Sequence, residues 1–93
     1  MSLVKLTGRL LCANAEEAST VVRHLPRHIQ LTHAEPGCLS FDVQPTDDPF
    51  EWIVAERFAD QAAFSAHQAR VRASEWGRAT AGIERDYVIT TEP

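Results

Sequence analysis

Four stretches of this chain alternate apolar and polar side chains, and two others carry an apolar stripe of helical period. The order of these six stretches is what most narrows the fold. A period of two marks a strand with one face buried, and a period near 3.6 marks a helix with one face buried. In the first stretch Val4, Leu6, Leu10 and Cys12 share a face opposite Lys5, Thr7 and Arg9. Asn14 followed by Glu17 has capping-box spacing and predicts a helix start. The stripe that follows is Ala18, Val21, Val22, Leu25 and Ile29, and Pro26 within it predicts a kink or a restart. Glu35-Pro36-Gly37 is a strong turn signal, because Pro fixes φ and Gly permits positive φ.

Beyond that turn Leu39, Phe41 and Val43 alternate with polar residues and predict a half-buried second strand. Pro45-Thr46-Asp47-Asp48-Pro49 reads as a polar turn. Trp52, Val54, Glu56 and Phe58 then alternate with Ile53, Ala55 and Arg57, a third strand paired with the second as a hairpin. Asp60 is an N-cap candidate for a helix with Phe64, His67, Gln68 and Val71 on one stripe. Ser74 is placed to cap a short further helix carrying Trp76, Ala79, Thr80 and Ile83. The β-branched and aromatic run from Arg85 to Thr91 predicts the fourth strand.

Strand, helix, strand, strand, helix, strand is the split βαβ order. It predicts a ferredoxin-like α+β fold, with one four-stranded antiparallel sheet and helices on one face. Ninety-three residues suffice for one domain, taken as 1–93, with a modest core. Apolar residues fall on both faces of the third and fourth strands: Trp52 and Val54 against Ile53 and Ala55, and Tyr87 and Ile89 against Val88. One layer of helices covers only one face, so a homodimer packed sheet to sheet is expected.

Composition excludes several classes. A formal charge of −4 and a single Lys argue against nucleic acid, which needs clustered cations. Arg70, Arg72 and Arg78 are read as a solvated helix face. No apolar run reaches the length of a membrane span, and no basic segment precedes an apolar one at the start, so a cytoplasmic protein without membrane association is expected. Cys12 and Cys38 fit no paired-cysteine spacing and read as reduced thiols. His24 and His28, spaced i, i+4, could share a metal on a continuous helix, but Pro26 between them distorts the geometry and no zinc motif is present. Metal is therefore not expected. His33 is read as exposed. Without a Gly-rich phosphate loop, no nucleotide cofactor is expected either.

The wording of three segments adds to their period. Ala34-Glu35-Pro36-Gly37-Cys38-Leu39, Trp52 through Asp60, and Ala63-Phe64-Ser65-Ala66-His67 together resemble the antibiotic biosynthesis monooxygenase family. There a Glu-Pro-Gly-Cys turn opens the second strand, a Glu-Arg-aromatic triplet ends the third, and an Ala-x-x-Ala-His element lies on the next helix. The resemblance implies a dimeric α+β barrel with a pocket between sheet and helices in each subunit. It also implies oxygen insertion into phenols or quinols with dioxygen, without flavin, haem or metal. A haem-degrading relative would need a pocket Asn with a Trp and a proximal His. The only Asn is Asn14, at a helix start, and no His follows in the last helix.

His67 is the leading candidate for a catalytic base, since it lies on the apolar stripe and imidazole titrates near neutrality. Glu56 shares an apolar strand face, where a carboxylate must be paired or neutral. Either it meets His67, fixing its tautomer and raising its basicity, or it forms a structural ion pair with an Arg such as Arg9. Trp52, Phe64 and Trp76 are candidate walls of an aromatic substrate pocket, with a plain core role an equal reading for the two tryptophans. Tyr87 could equally face a pocket or a dimer interface. The competing function is a ligand-binding or stress-associated dimer of the same fold without turnover.

Overall fold

The computed structural model describes residues 2–93. Strand β1 (Leu3–Leu11) leads into helix α1 (Ala15–His33), then the hairpin β2 (Cys38–Pro45) and β3 (Glu51–Phe58). Helix α2 (Gln61–Arg72), the short helix α3 (Glu75–Ala79) and strand β4 (Glu84–Glu92) complete it. The sheet order is β2-β3-β1-β4 with every neighbour antiparallel. This is the split βαβ, ferredoxin-like arrangement that the periodicities predict.

The three helix starts are fixed by local side-chain chemistry. Asn14, Asp60 and Ser74 each accept a hydrogen bond from the backbone N–H three residues on, which satisfies a donor the helix cannot. Glu17 closes back onto the N–H of Ala13 at 2.7 Å, one residue earlier than a standard capping box requires.

Helix α1 runs unbroken through Pro26, so the expected restart does not occur. Pro26 is exposed, and Val22, whose carbonyl loses its partner to the proline, lies on the solvent side. Val22 is correspondingly 64% exposed and does not belong to the buried stripe. That stripe is Val21, Leu25, His28 and Thr32, the face laid on the sheet. Leu39 is also exposed, because a register irregularity between Cys38 and Ser40 turns it out of the alternation of Phe41 and Val43.

The core lies between the helices and one sheet face: Val4, Leu6 and Leu10 from β1, Phe41 and Val43 from β2, Trp52, Val54 and Phe58 from β3. Phe64, Trp76 and Ile83 close it from above. Gly8 sits centrally in β1 between Val54 and Tyr87. A Cβ there would stand 2.0 Å from the carbonyl oxygen of Asp86, so only glycine lets β4 approach this closely. The opposite sheet face carries Ile53 and Val88 well exposed, interleaved with charged residues. Among the described residues no helix is long and apolar enough to cross a membrane.

Candidate active site

The site is built where α1, α2 and α3 meet the centre of the sheet. β3 presents Glu56 toward the helices, flanked in register by Phe41 of β2 and Leu6 of β1. A carboxylate between two apolar neighbours loses its hydration, and its pKa is pushed up to about 7, with the charge of Glu35 adding to the shift. α2 presents His67, buried and in aromatic surroundings, with its ring centroid 4.8 Å from that of Phe58 and 5.9 Å from that of Phe41.

The two ring nitrogens of His67 face different carboxylates. Nδ1 lies 2.9 Å from Oε1 of Glu35, and Nε2 lies 3.6 Å from Oε1 of Glu56. The first is a hydrogen bond and the second is just beyond one. Glu35 therefore holds the Nδ1 proton and leaves Nε2 as the free lone pair, so the tautomer is set by Glu35 and not by Glu56 as expected. Burial lowers the His67 pKa and outweighs the opposing pull of Glu35, so its basicity is not raised overall.

Glu35 is held in turn. Arg70, two positions short of the end of α2, donates through Nε to Glu35 and through its NH2 to Thr32 Oγ1 at 3.0 Å. Arg70 is thus part of a partly buried network and not of a solvated helix face. The Glu35-Pro36-Gly37 turn can lie this close to α2 because Gly37 has no side chain. A Cβ on it would stand 2.2 Å from that of Ala63.

His28 comes from the buried face of α1 and stacks on Trp76 of α3, centroids 4.5 Å apart and planes 4° from parallel. Phe41 meets it edge-on at 5.2 Å. Burial drives its pKa down to about 3, so it is a neutral imidazole. Its Nδ1, Oε1 of Glu56 and NH1 of Arg70 are buried with no hydrogen-bond partner. His28 and Glu56 line one cavity, while Arg70 is not part of its wall.

That cavity has a volume of about 70 Å³, with His28, Glu56, His67, Trp76, Arg85 and Tyr87 in its wall. Burial raises the phenol of Tyr87 to about 12, making it a donor at neutral pH. Its side chain faces the helices, away from the opposite sheet face.

Of the expected wall residues, only Trp76 lines the cavity. Trp52 is buried at the far end of β3, four residues and roughly 13 Å from Glu56. Phe64 lies one turn before His67 and fills the core against Phe58, centroids 5.5 Å apart. Glu35, Arg70, His28 and Phe41 are site residues that the sequence reading did not assign. For His28 a signal existed: it lies seven residues beyond Val21, on the buried face. Cys12 and Cys38 are free thiols. Among the described residues no group of three or more His, Cys, Asp or Glu side chains is arranged to hold a metal ion.

A split βαβ sheet covered on one face, with a histidine–carboxylate pair in a pocket beneath the helices, defines a small α+β protein with a partly open polar site. The chain belongs to the antibiotic biosynthesis monooxygenase family, whose model matches residues 9–79. Among solved structures it resembles SnoaB of Streptomyces nogalater, a cofactor-independent oxygenase, with a TM-score of 0.81 and 14% identity over 100% of this chain and 95% of that one. A conserved protein of Methanosarcina mazei gives 0.74 and 16% over 100% and 95%. Rv0793 of Mycobacterium tuberculosis gives 0.68 and 22% over 100% and 94%. At these identities the likeness is one of fold. No curated protein sequence matches the chain.

Proposed function

We propose that this protein is a cofactor-independent monooxygenase that oxidises an electron-rich phenol or quinol with dioxygen. The observation that carries the reading is His67, with its Nδ1 proton tied to Glu35 and its Nε2 lone pair on the side of the cavity and Glu56. A neutral imidazole so oriented removes a phenolic proton. The phenolate passes one electron to dioxygen, and the resulting superoxide and ring radical join as a ring peroxide. Loss of the ring C–H proton and cleavage of the O–O bond leave a quinone and hydroxide. Hydroxide takes back the proton that His67 stored and leaves as water. One phenol and one dioxygen thus give one quinone and one water, with no external reductant. Tyr87 is a donor for the developing oxyanion, and the burial of His67 and Glu56 strengthens these interactions.

The working form is a homodimer in which the two bare sheet faces pack together. Ile53 and Val88, 47% and 58% exposed, support this reading. The protein acts in the cytoplasm, on small molecules only.

Oxygen uptake with a panel of phenols and quinols tests the activity. Turnover is expected with the wild type and is reduced about 10²-fold in His67→Gln, the usual worth of a positioned base. No uptake with any member of the panel, or equal turnover in the variant, overturns it. A ligand-binding dimer without turnover is the second reading. The observation in its favour is the cavity volume of about 70 Å³, less than half of the roughly 150 Å³ that accommodates benzene.

A further inference from the structure

Glu56 takes no part in removing the phenolic proton, yet its carboxyl lines the same pocket as His67. The residue is 6% exposed, and its Oε1 is buried without a hydrogen-bond partner, 3.6 Å from Nε2 of His67. Glu35 holds the Nδ1 proton at 2.9 Å, so the nitrogen that faces Glu56 carries a lone pair. Two lone pairs at that distance repel each other. A proton on Oε1 turns the repulsion into attraction.

The other groups around Glu56 give a negative charge no support. Arg70 of α2 is committed to Glu35 and Thr32, and Arg85 of β4 to Thr80 and the carbonyl of Ile83. His28 of α1 is a neutral imidazole and Tyr87 of β4 a neutral phenol. Glu35, on the turn after α1, adds a like charge. Among the described residues no Lys or Arg is paired with Glu56. The acid form fits such surroundings and the carboxylate does not.

We propose that Glu56 is the general acid of the site, entering the reaction protonated and giving its proton to the oxygen that leaves when the O–O bond breaks. Nε2 of His67 takes the phenolic proton and keeps it while the ring peroxide forms. The imidazolium, 3.6 Å away, makes Glu56 a stronger acid at that moment. The ring C–H proton then passes to the distal peroxide oxygen, the C–H electron pair becomes the new C–O π bond of the quinone, and the O–O bond breaks. The departing hydroxide takes the Glu56 proton and leaves as water. His67 hands its stored proton across to the Glu56 carboxylate, and both groups regain their starting forms. The hydroxyl and ring protons of the phenol are thus balanced by the one water formed. The reaction is that of the monooxygenase reading, on which the proposal rests, but the protonation of Glu56 is tested without turnover.

Two measurements make the test. In wild-type protein carrying carbon-13 in its glutamate carboxyls, the Glu56 signal should be that of the acid at about pH 6, where an ordinary glutamate is ionised. In Glu56→Gln, quinone formation should fall about 10²-fold, the usual worth of a positioned acid. Hydrogen peroxide should appear in its place, because a ring peroxide that cannot lose hydroxide reverts to superoxide and the ring radical, and superoxide disproportionates to hydrogen peroxide and dioxygen. Glu56→Asp, which keeps an acid at a shorter reach, should recover part of the quinone. An ionised Glu56 at about pH 6, quinone formed by Glu56→Gln at the wild-type rate, or a fall without hydrogen peroxide overturns the proposal alone. No oxygen uptake by the wild type removes the oxygenase reading, and this use of the proton with it.

Discussion

Glu35 and His67, 32 residues apart in the chain, are joined by a hydrogen bond of 2.9 Å from Nδ1 to Oε1. The bond clamps the turn after α1 to the middle of α2, and through it one carboxylate decides which imidazole nitrogen is free. Glu35→Gln keeps the shape of the side chain and removes its charge. Because Glu35 holds the His67 pKa up against burial, the acid limb of the pH–rate profile should move to lower pH in this variant. Turnover should fall about tenfold or more as imidazolium loses its stabilising partner. Arg70 also loses a charged acceptor, at a cost of about 1–3 kcal/mol. A purely structural Glu35 would lower stability and leave the limb where it was.

The buried pair of Glu56 and His28 makes stability depend on pH in opposite senses. The Glu56 pKa rises on folding from 4.5 to about 7, so between those values the folded state holds a proton that the unfolded chain has lost. Its contribution is fully present below pH 4.5 and is lost as pH rises through 7. The His28 pKa falls on folding from 6.5 to about 3, so its contribution runs the other way and stability increases with pH across that window. From 4.5 to 6.5 the two largely cancel. Glu56→Gln removes one of them, and its stability relative to wild type should climb by roughly 3 kcal/mol between pH 4.5 and 7 and then level off. Urea unfolding of both proteins across that range measures the difference. A difference independent of pH would show that Glu56 is not held protonated by its surroundings.

The sheet and helices were legible because each depends on a local period or a local cap. Val4, Leu6, Leu10 and Cys12 could be assigned to one face without knowing what covers it, and Asn14, Asp60 and Ser74 cap whatever the tertiary fold. The inward placement of His67 was legible for the same reason, from its stripe with Phe64 and Val71, but its choice as a site residue leaned mainly on the family's Ala-x-x-Ala-His element. Glu35 was not, because its role comes from a meeting of the α1–β2 turn with α2 that no spacing within the chain records. Trp52 and Phe64 failed as pocket residues for a related reason. Period places a side chain on the inner face, but not at which end of the sheet the helices leave a gap. The gap depends on where α3 lays Trp76 over His28, which is a matter of three-dimensional packing. Leu39 shows the limit within a single strand, since one irregularity of register reverses the side a residue occupies.

The outer sheet face makes the last prediction. Its rows across the sheet run Gln44, Ile53, Arg9, Asp86 and then Asp42, Ala55, Thr7, Val88. Apolar groups alternate with both signs of charge, a pattern that can complement itself across a two-fold axis. Ile53 and Val88 are two strands apart, one at each side of β1, so a dimer built on this face should bury both at once. Ile53→Glu with Val88→Glu places two like charges where a second sheet would have to pack, and desolvating them is costly. Neither side chain belongs to the core under the helices, so the monomer's own packing is left alone. Light scattering at micromolar concentration should therefore give a dimer for wild type and a folded monomer, or a dimer dissociating at much higher concentration, for the double variant. A wild-type protein that stays monomeric, or a double variant that dimerises as tightly as wild type, would remove this face as the interface.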